Sequence, residues 1–237
     1  MTSGQRERTR EKRERILETA MRHFAERGFE AARVEDMAAE MGIAKGSVFQ
    51  HFGSKGGLLV AAYKKAVTEF SAWLDAPPEV KERGFFATVR YWLEITPRMV
   101  REDWVLYRVA LIGNYATDLS LRREINRFLR TEDPYGTAEF VRFGLERGEL
   151  RRDVDPDLIA SILDWTMERF QDAQLTEELD PGLFRRAGMD ASREAERIEQ
   201  FQTLLRSAIG PPPQAKLPRR APRATGRRHR GASRKHA

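Results

Sequence analysis

A short stretch near the N-terminus holds side chains that can hydrogen-bond to nucleic acid. The Gln50 amide can pair with an adenine through both of its polar atoms, and Lys45 can donate to a guanine or to a phosphate. Gly46 has no side chain, so a partner can approach its backbone closely. His51 has two interpretations of equal weight, because it either packs beside Phe52 or contacts a phosphate. Isolated polar residues on a helix are usually only solvated, so the elements that position these residues decide their role.

Two short helices joined by a tight turn are predicted to carry these side chains. The first covers residues 34–40 and the second about 44–51, and Gly42 between them tolerates the positive φ of a tight turn. The apolar residues predicted to face inward are Val34, Met37, Ala38, Ile43, Val48 and Phe52. The residues left facing outward on the second helix are Lys45, Ser47, Phe49, Gln50 and His51. This is the outline of a helix-turn-helix, whose second helix enters the major groove of DNA.

The run from Gly28 to Phe52, followed by Ser54 and Lys55, resembles the N-terminal DNA-binding region of the TetR family of bacterial transcriptional regulators. The likeness covers roughly residues 10–60, and a weaker likeness over residues 144–156 lies ahead of the expected dimerising helices. The resemblance implies a homodimeric repressor whose first three helices bind DNA and whose later helices bind an effector and the second subunit. By position, it places on the recognition helix Lys45, Gly46, Ser47, Phe49, Gln50 and His51, with Lys55 following as a phosphate contact.

Four residues depart from the family pattern. The family usually has a hydroxyl residue where Ala44 stands, threonine where Ala32 and often Arg33 stand, and tyrosine where Phe49 stands. Positive charge is expected to compensate for the missing phosphate-contacting hydroxyls, both from Arg33 and from a basic arm formed by Arg6, Arg8, Arg10, Lys12 and Arg13. The predicted DNA-binding residues are Arg33, Ala44, Lys45, Gly46, Ser47, Phe49, Gln50, His51 and Lys55.

Helical spacing of apolar residues dominates the rest of the chain, which predicts an all-α protein. One helix is expected from Thr9 to Arg27, with Gly28 ending it, and Ser54 is expected to cap a long helix that reaches Leu74. The later helices are predicted over residues 79–99, 103–116, 118–131, 136–147, 157–174 and 190–209. The predicted domains are a helix-turn-helix domain with its basic arm over residues 1–55, a helical effector-binding and dimerisation domain over 56–210, and a disordered basic tail over 211–237.

Charge divides the chain into three parts. The formal charge is +4 over residues 1–65, −7 over residues 66–210 and +9 over residues 211–237, within a total of +6. The basic ends can meet a polyanion that the acidic body repels, so double-stranded DNA is the expected partner, and an anionic membrane surface is the weaker alternative. The tail is rich in Pro, Gly and Arg, and it is either simply solvated or a non-specific phosphate tether.

Several classes of protein are excluded by composition. The chain has no cysteine, which removes disulfides, thiolate zinc sites and cysteine nucleophiles. No apolar stretch approaches the roughly 18 residues of a membrane span, and the first residues are charged rather than apolar. These features predict a cytoplasmic protein with no membrane partner. No cofactor or metal is expected, because the four His residues show no metal-binding spacing and no Gly-rich phosphate loop follows a strand.

Large aromatic residues concentrate in the helices of the acidic body. Aromatic residues at helical spacing are most often plain core, yet their density fits an apolar cavity between helices, where the resemblance places an effector. The candidates for its lining are Trp73, Phe86, Trp92, Trp104, Tyr107 and Tyr115. Arg90, Arg98 and Arg108 are candidates to meet an anionic ligand group, or equally to pair with neighbouring carboxylates.

The last two predicted helices carry apolar stripes too wide for one face. Such a helix must be covered on more than one side, and packing against a symmetry mate gives a self-complementary four-helix interface. Cover by the rest of the same chain is the alternative. The residues predicted at a homodimer interface are Ile162, Trp165, Thr166, Phe201, Leu205 and Ala208.

The sequence therefore predicts a ligand-responsive transcriptional regulator. In this prediction a homodimer represses by binding a palindromic operator and is released by an unidentified small molecule. The alternative is a sequence-neutral architectural DNA-binding protein held by its basic head and tail. An enzyme is not expected, since no H-E-x-x-H motif occurs and no other catalytic spacing is visible.

Overall fold

The computed structural model describes residues 2–176, 179 and 191–212, and for residues 191–194 it describes the backbone alone. Residues 177–190, apart from residue 179, and residues 213–237 of the predicted basic tail lie outside these residues. Every regular element within the described residues is a helix, which confirms the all-α prediction. No helix in this part of the chain is long and apolar enough to cross a membrane.

Four helices form the N-terminal head. They are α1 (Ser3–Ala31), α2 (Val34–Glu40), α3 (Lys45–Phe52) and α4 (Lys55–Ser71), and a 3₁₀ turn (Ala72–Leu74) extends the last of them. The predicted cap of α4 is confirmed, because the Ser54 hydroxyl accepts the Gly57 N–H at 3.0 Å. Gly42 adopts a φ of 67° between α2 and α3, which is the positive φ that the tight turn requires.

The first helix is longer at both ends than its apolar spacing predicts. At its start Thr2 and Gln5 form a capping box, in which each side chain accepts the other residue's backbone N–H. The basic arm at residues 6–13 is therefore helical. At its end Gly28 adopts a φ of 75°, outside the helical range, and one more turn reaches Ala31. The predicted stop at Gly28 thus coincides with a break in the helix geometry.

Seven more helices form the body within the described residues. They are α5 (Pro78–Glu82), α6 (Phe85–Glu102), α7 (Trp104–Asn114), α8 (Leu119–Glu132), α9 (Thr137–Glu146), α10 (Pro156–Leu175) and α11 (Ala191–Ile209). The prediction of one helix over residues 79–99 is wrong, because Gly84 adopts a φ of 106° and separates α5 from α6. A side chain there would also collide with the Glu149 carboxylate, whose Oε2 accepts the Phe85 N–H at 3.0 Å.

The apolar interior of the head continues into the body. The core of the head joins α1, α2, α3 and α4, and it also takes Val109 from α7. A second cluster joins α6, α9, α10 and α11, and a third lies around Tyr63, where α4 meets α7 and α8. Helices α4 and α7 therefore contribute side chains both to the head core and to the body.

Candidate nucleic-acid interface and ligand cavity

Helix α3 turns one face to the outside of the head. Val48 is fully buried in the head core and Phe52 packs against that core from the same side, so the rotation of the helix is fixed. Lys45, the first residue of the helix, and Gln50, on the side away from Val48, are exposed. An exposed helix held in this way can enter the major groove without rearrangement of its own core.

The nine predicted DNA-binding residues fall into two groups by accessibility. The exposed residues are Arg33, Ala44, Lys45, Gly46 and Gln50. The half-buried residues are Ser47, Phe49, His51 and Lys55. All nine are accessible on the surface of the head, and their contacts with DNA stay a prediction.

Lys45 is engaged by an acidic neighbour in the free protein. Its Nζ donates to Glu35 Oε1 at 2.6 Å and lies 5.3 Å from the centroid of the Phe49 ring. The bond from Lys45 lowers the pKa of the Glu35 carboxyl below its ordinary value. Glu35 therefore holds the ammonium group on the surface of the head and brings a negative charge to the face that DNA is expected to meet.

Replacing Glu35 by glutamine is expected to strengthen DNA binding several-fold at low salt. The change frees Lys45 for a phosphate, so the dependence of affinity on salt concentration steepens by about one unit of slope. Fluorescence anisotropy with a labelled duplex, repeated across a salt series, measures both quantities. Glu26→Gln, on the exposed side of α1 and with no bond to Lys45, is the control. An equal gain in the two variants would contradict a specific role for the Glu35–Lys45 pair.

Lys55 has partners within the head. Its Nζ donates to the carbonyl oxygen of Glu30 at 3.0 Å and lies 4.7 Å from the centroid of the Phe29 ring. These contacts tie the start of α4 to the end of α1, a structural role that the sequence did not predict. The His51 ring lies 6.2 Å from the Phe52 ring, so in the free protein it packs beside that residue, as one of its two interpretations expected.

A polar clamp formed by Arg22, His23 and Glu40 joins α1 to α2. The buried His23 places its Nε2 2.8 Å from Glu40 Oε2, and Arg22 donates to the same carboxylate. Hydrogen bonds from Arg22 and then from His23 hold the pKa of Glu40 at about 2. The clamp fixes α2 on α1, and therefore the angle of α3. Sequence reasoning missed it, because His23 and Glu40 are 17 positions apart and meet only in the folded head.

A cavity of about 230 Å³ lies inside the body, bounded by α4, α6, α7, α8, α9 and α10. Two of the six predicted lining residues, Trp92 and Tyr107, lie on its wall. The Trp92 indole is fixed by the bond from its Nε1 to the carbonyl oxygen of Leu74 at 2.8 Å. The other aromatic residues of the wall are Tyr63, Phe70, Tyr135 and Phe140.

The remaining four predicted lining residues lie elsewhere. Trp73 donates to Asp103 at 2.8 Å, and Phe86 is buried in the second core cluster. Trp104 is 43% exposed, and Tyr115 reaches the cavity only through another side chain. Helical spacing groups aromatic residues on a face, but the packing of six helices decides which face meets the cavity. Residues of the wall that the sequence did not single out include three carboxylates of α10, namely Asp164, Glu168 and Asp172.

None of the three arginines proposed for an anionic ligand group lies on the cavity wall. Arg90 pairs with Glu94 and Glu199, and Arg98 pairs with Glu102. The prediction that these side chains pair with neighbouring carboxylates is therefore confirmed for the first two. Arg108 is half-buried on α7, outside the cavity lining.

Helices α10 and α11 expose apolar residues. Of the large apolar side chains that are exposed in the described residues, three lie on these helices: Leu158 at 47%, Trp165 at 63% and Leu204 at 71%. Among the predicted interface residues, Ala208 is also exposed. The half-buried ones are Ile162, Thr166 and Phe201, whereas Leu205 is buried in the core of its own chain.

The helix-turn-helix of an all-α chain, with its second helix exposed beside basic residues, defines this molecule as a DNA-binding protein of the helix-turn-helix class. A family model described as "Bacterial regulatory proteins, tetR family" matches residues 16–62. The head of this chain is therefore similar in sequence to the DNA-binding domain of the TetR family of transcriptional regulators.

Similar proteins extend the likeness beyond the head. The transcriptional repressor AcnR of Corynebacterium glutamicum is 28% identical over 67% of this chain and 79% of its own. The transcriptional repressor DhaR of Mycobacterium sp. strain GP1 is 27% identical over 84% of this chain and 92% of its own. The crystal structure of Bacillus subtilis FadR in complex with stearoyl-CoA, at 18% identity, covers 82% of this chain and 98% of that one with a TM-score of 0.61, which shows the shared fold.

Proposed function

We propose that this chain is a ligand-responsive transcriptional repressor, which binds a near-palindromic operator as a homodimer and leaves it when a small molecule occupies the cavity. The observation that carries the proposal is that α4 connects the exposed recognition helix to the cavity of the body. The direction of regulation rests on the repressors AcnR and DhaR, whose names state that role. A regulator of this kind works in the cytoplasm and needs no catalytic group.

Base recognition falls to the exposed side of α3. Gln50 carries an amide that can accept from and donate to one adenine, and Lys45 can donate to a guanine or a phosphate. In a homodimer, two such helices must lie about 34–36 Å apart to enter successive major grooves on one side of the duplex. The half-buried Ser47 and Phe49 flank these residues and complete the proposed reading surface.

Coupling between the cavity and the head follows from the length of α4. Leu58 and Leu59, near its start, are fully buried in the head core, whereas Tyr63 and Phe70 farther along lie on the cavity wall. The Tyr63 hydroxyl donates to Asn114 Oδ1 of α7 at 2.7 Å. A ligand that changes this contact shifts two helices that both enter the head. The free energy by which the ligand shifts DNA binding cannot exceed the difference between its binding free energies for the two arrangements.

The test is genomic footprinting with the full chain, followed by measurement of its affinity for the protected site and for unrelated DNA. We expect the site to be preferred by about a thousandfold or more. Gln50→Ala is expected to weaken binding to that site by about 10–100-fold, because the adenine then lacks its paired amide, and to leave unrelated DNA unaffected. Gln200→Ala, at an exposed position on α11, is the control.

Equal affinity for all duplexes would overturn the proposal in favour of the architectural alternative. An equal loss on the site and on unrelated DNA in Gln50→Ala would contradict base recognition by that residue. Release of the operator by the ligand is measured in the same assay. If no ligand that enters the cavity changes the affinity for the operator, the proposal that the repressor responds to a ligand is overturned.

A further inference from the structure

The cavity combines an aromatic wall with an acidic one. Aromatic rings of Tyr63, Trp92, Tyr107 and Phe140 belong to its lining. Asp164, Glu168 and Asp172 belong to the lining as well, and their spacing of four residues places them along a single face of α10. Like charges spaced this way destabilise a helix, and burial in an apolar cavity raises that cost. Among the described residues, none that lines the cavity is a lysine, arginine or histidine.

The three carboxylates differ in how well they are satisfied. Asp172 is buried and accepts from the hydroxyls of Tyr115 at 2.9 Å and Tyr107 at 3.2 Å. Asp164 stays accessible and accepts from the Thr137 hydroxyl at 3.0 Å. Glu168, half-buried between them, has no hydrogen bond or ion pair with any described residue. The centre of the acidic wall therefore has unused acceptor capacity facing the cavity.

The nearest cations are committed to other groups. Arg122 on α8 donates to the carbonyl oxygen of Asn114, and Arg169 on α10 donates to the Tyr115 hydroxyl, with its guanidinium 5.1 Å from the centroid of that ring. Both lie close enough to act on Glu168 electrostatically, yet burial and the negative charge of Asp172 outweigh them and raise the pKa of Glu168 to about 7. Asp164 is exposed at one side, but the atoms packed around its carboxyl still desolvate it and raise its pKa to about 6.

A metal ion does not fit this arrangement. Four residues of α-helix rise about 6 Å, so Asp164 and Asp172 start about 12 Å apart along the axis. Carboxylates that share a metal ion must all come within about 2.6 Å of it. Among the described residues, no group of three or more His, Asp or Glu is placed to hold a metal ion. The acidic wall suits a positive charge carried on an organic molecule that also fills the aromatic part.

We propose that the cavity binds a lipophilic organic cation, a small aromatic molecule with an ammonium group, whose charge lies against Glu168 and whose ring packs among Tyr63, Trp92 and Phe140. This inference rests on the proposed function, in which the cavity is the effector site. Aromatic faces attract such cations, most strongly when water is removed from them. Glu168 supplies the negative charge, and Asp164 and Asp172 extend it along the wall.

Three probes of the same shape and different charge test the proposal. They are benzyltrimethylammonium, its neutral carbon analogue neopentylbenzene, and the anion phenylmethanesulfonate. Equilibrium dialysis against the full chain measures their affinities. We expect the cation to bind about tenfold or more tighter than the neutral analogue, and the anion to show no binding at the same concentrations. Tighter or equal binding of the neutral or anionic probe, or binding of none of the three, overturns the proposal.

Two substitutions locate the charge. Glu168→Gln keeps the size of the side chain and is expected to remove most of the preference for the cation, while leaving the affinity for neopentylbenzene unchanged. Asp164→Asn is expected to reduce the preference less, since that carboxylate is accessible to water. Glu139→Gln, an exposed residue of α9 outside the lining, is the control and should change nothing. A preference for the cation that survives both substitutions in the lining overturns the proposal.

The affinity for the cationic probe should also depend on pH, and a variant that merely fails to fold would not show this dependence. Benzyltrimethylammonium keeps its charge at every pH, so its affinity should rise from about pH 6 to about pH 8 as Glu168 loses its proton. The groups that act on this carboxyl are Asp164, Asp172 and Arg169 of α10, Arg122 of α8, Tyr63 of α4, and Tyr135. In Glu168→Gln the rise should shrink to the part due to Asp164 and Asp172. An affinity for the cation that does not change with pH overturns the role of Glu168.

Failure of this inference and failure of the proposed function give different results. If the neutral or anionic probe binds and releases the operator, the ligand class is wrong and the repressor proposal stands. If the cation binds selectively but the chain prefers no DNA site, the ligand class is supported and the repressor proposal falls. If the cation binds selectively and leaves operator affinity unchanged, the cavity binds cations, but the proposal that it is the effector site is overturned.

Discussion

A chain with glutamate at both residue 165 and residue 204 is expected to be a monomer and to lose about 10²–10⁴-fold in operator affinity. Trp165 and Leu204 are 63% and 71% exposed on α10 and α11, where the proposed homodimer would cover them. Two charges there would be buried without partners on association. In a dimer, binding of the first recognition helix holds the second one close to its own half-site, which raises the effective concentration of the second helix there. A monomer binds one half-site only and has no such gain. Its affinity for a single half-site should not change.

Sedimentation equilibrium at micromolar concentration and anisotropy with full and half operators measure these effects. The matched control is Trp104→Glu combined with Leu119→Glu, which makes the same chemical changes at residues 43% and 69% exposed on α7 and α8. We expect this control to remain dimeric. A dimer that persists in the Trp165→Glu, Leu204→Glu variant would place the interface on another surface. A monomeric wild-type chain would remove the homodimer from the proposed function.

Much of the fold could be predicted from the sequence because its helix boundaries are local. Ser54 caps α4 through its own hydroxyl, and Gly42 provides the turn of the helix-turn-helix wherever the rest of the chain lies. The boundary at Gly84 was missed because its cause is not local. Its φ of 106° divides the predicted helix in two, but apolar spacing continues across it, and the Glu149 carboxylate that crowds it is distant in sequence.

The outward face of α3 was also predictable, because the burial of Val48 fixes where Gln50 points. The contacts of that face were not. Glu35 engages Lys45 only because the turn at Gly42 brings α2 beside the start of α3. Residues of the cavity wall come from six helices and the loop before α9, so the position of its carboxylates depends on which way α10 faces. The spacing of Asp164, Glu168 and Asp172 is visible in the sequence, but the cavity they face is not.

Replacing Gly113 by alanine is expected to destabilise the chain and to weaken DNA binding together. The new Cβ would lie 2.2 Å from Cδ2 of Tyr63, far inside van der Waals contact. The ring has little room to move, since Tyr63 is 1% exposed and meets Phe128 edge-on at 6.4 Å between centroids. Alanine favours a helix over glycine by about 1 kcal/mol, so the collision must exceed that gain. We expect a net loss of about 1–3 kcal/mol in the free energy of unfolding.

The loss of DNA binding follows because relief of the collision must separate α4 from α7. Both helices enter the head core, through Leu58 and Val109, and the bond from Tyr63 to Asn114 would break. Thermal unfolding and operator anisotropy measure the two effects. Gly4→Ala, where an added Cβ meets nothing within 4 Å, is the control and should lose neither stability nor operator affinity.

Combining Gly113→Ala with Tyr63→Ala removes the colliding ring. The double variant should therefore be more stable than the sum of the two separate losses would predict. Strict additivity would show that the ring is not what opposes a side chain at residue 113, and α4 would then lose its role as the link between cavity and head.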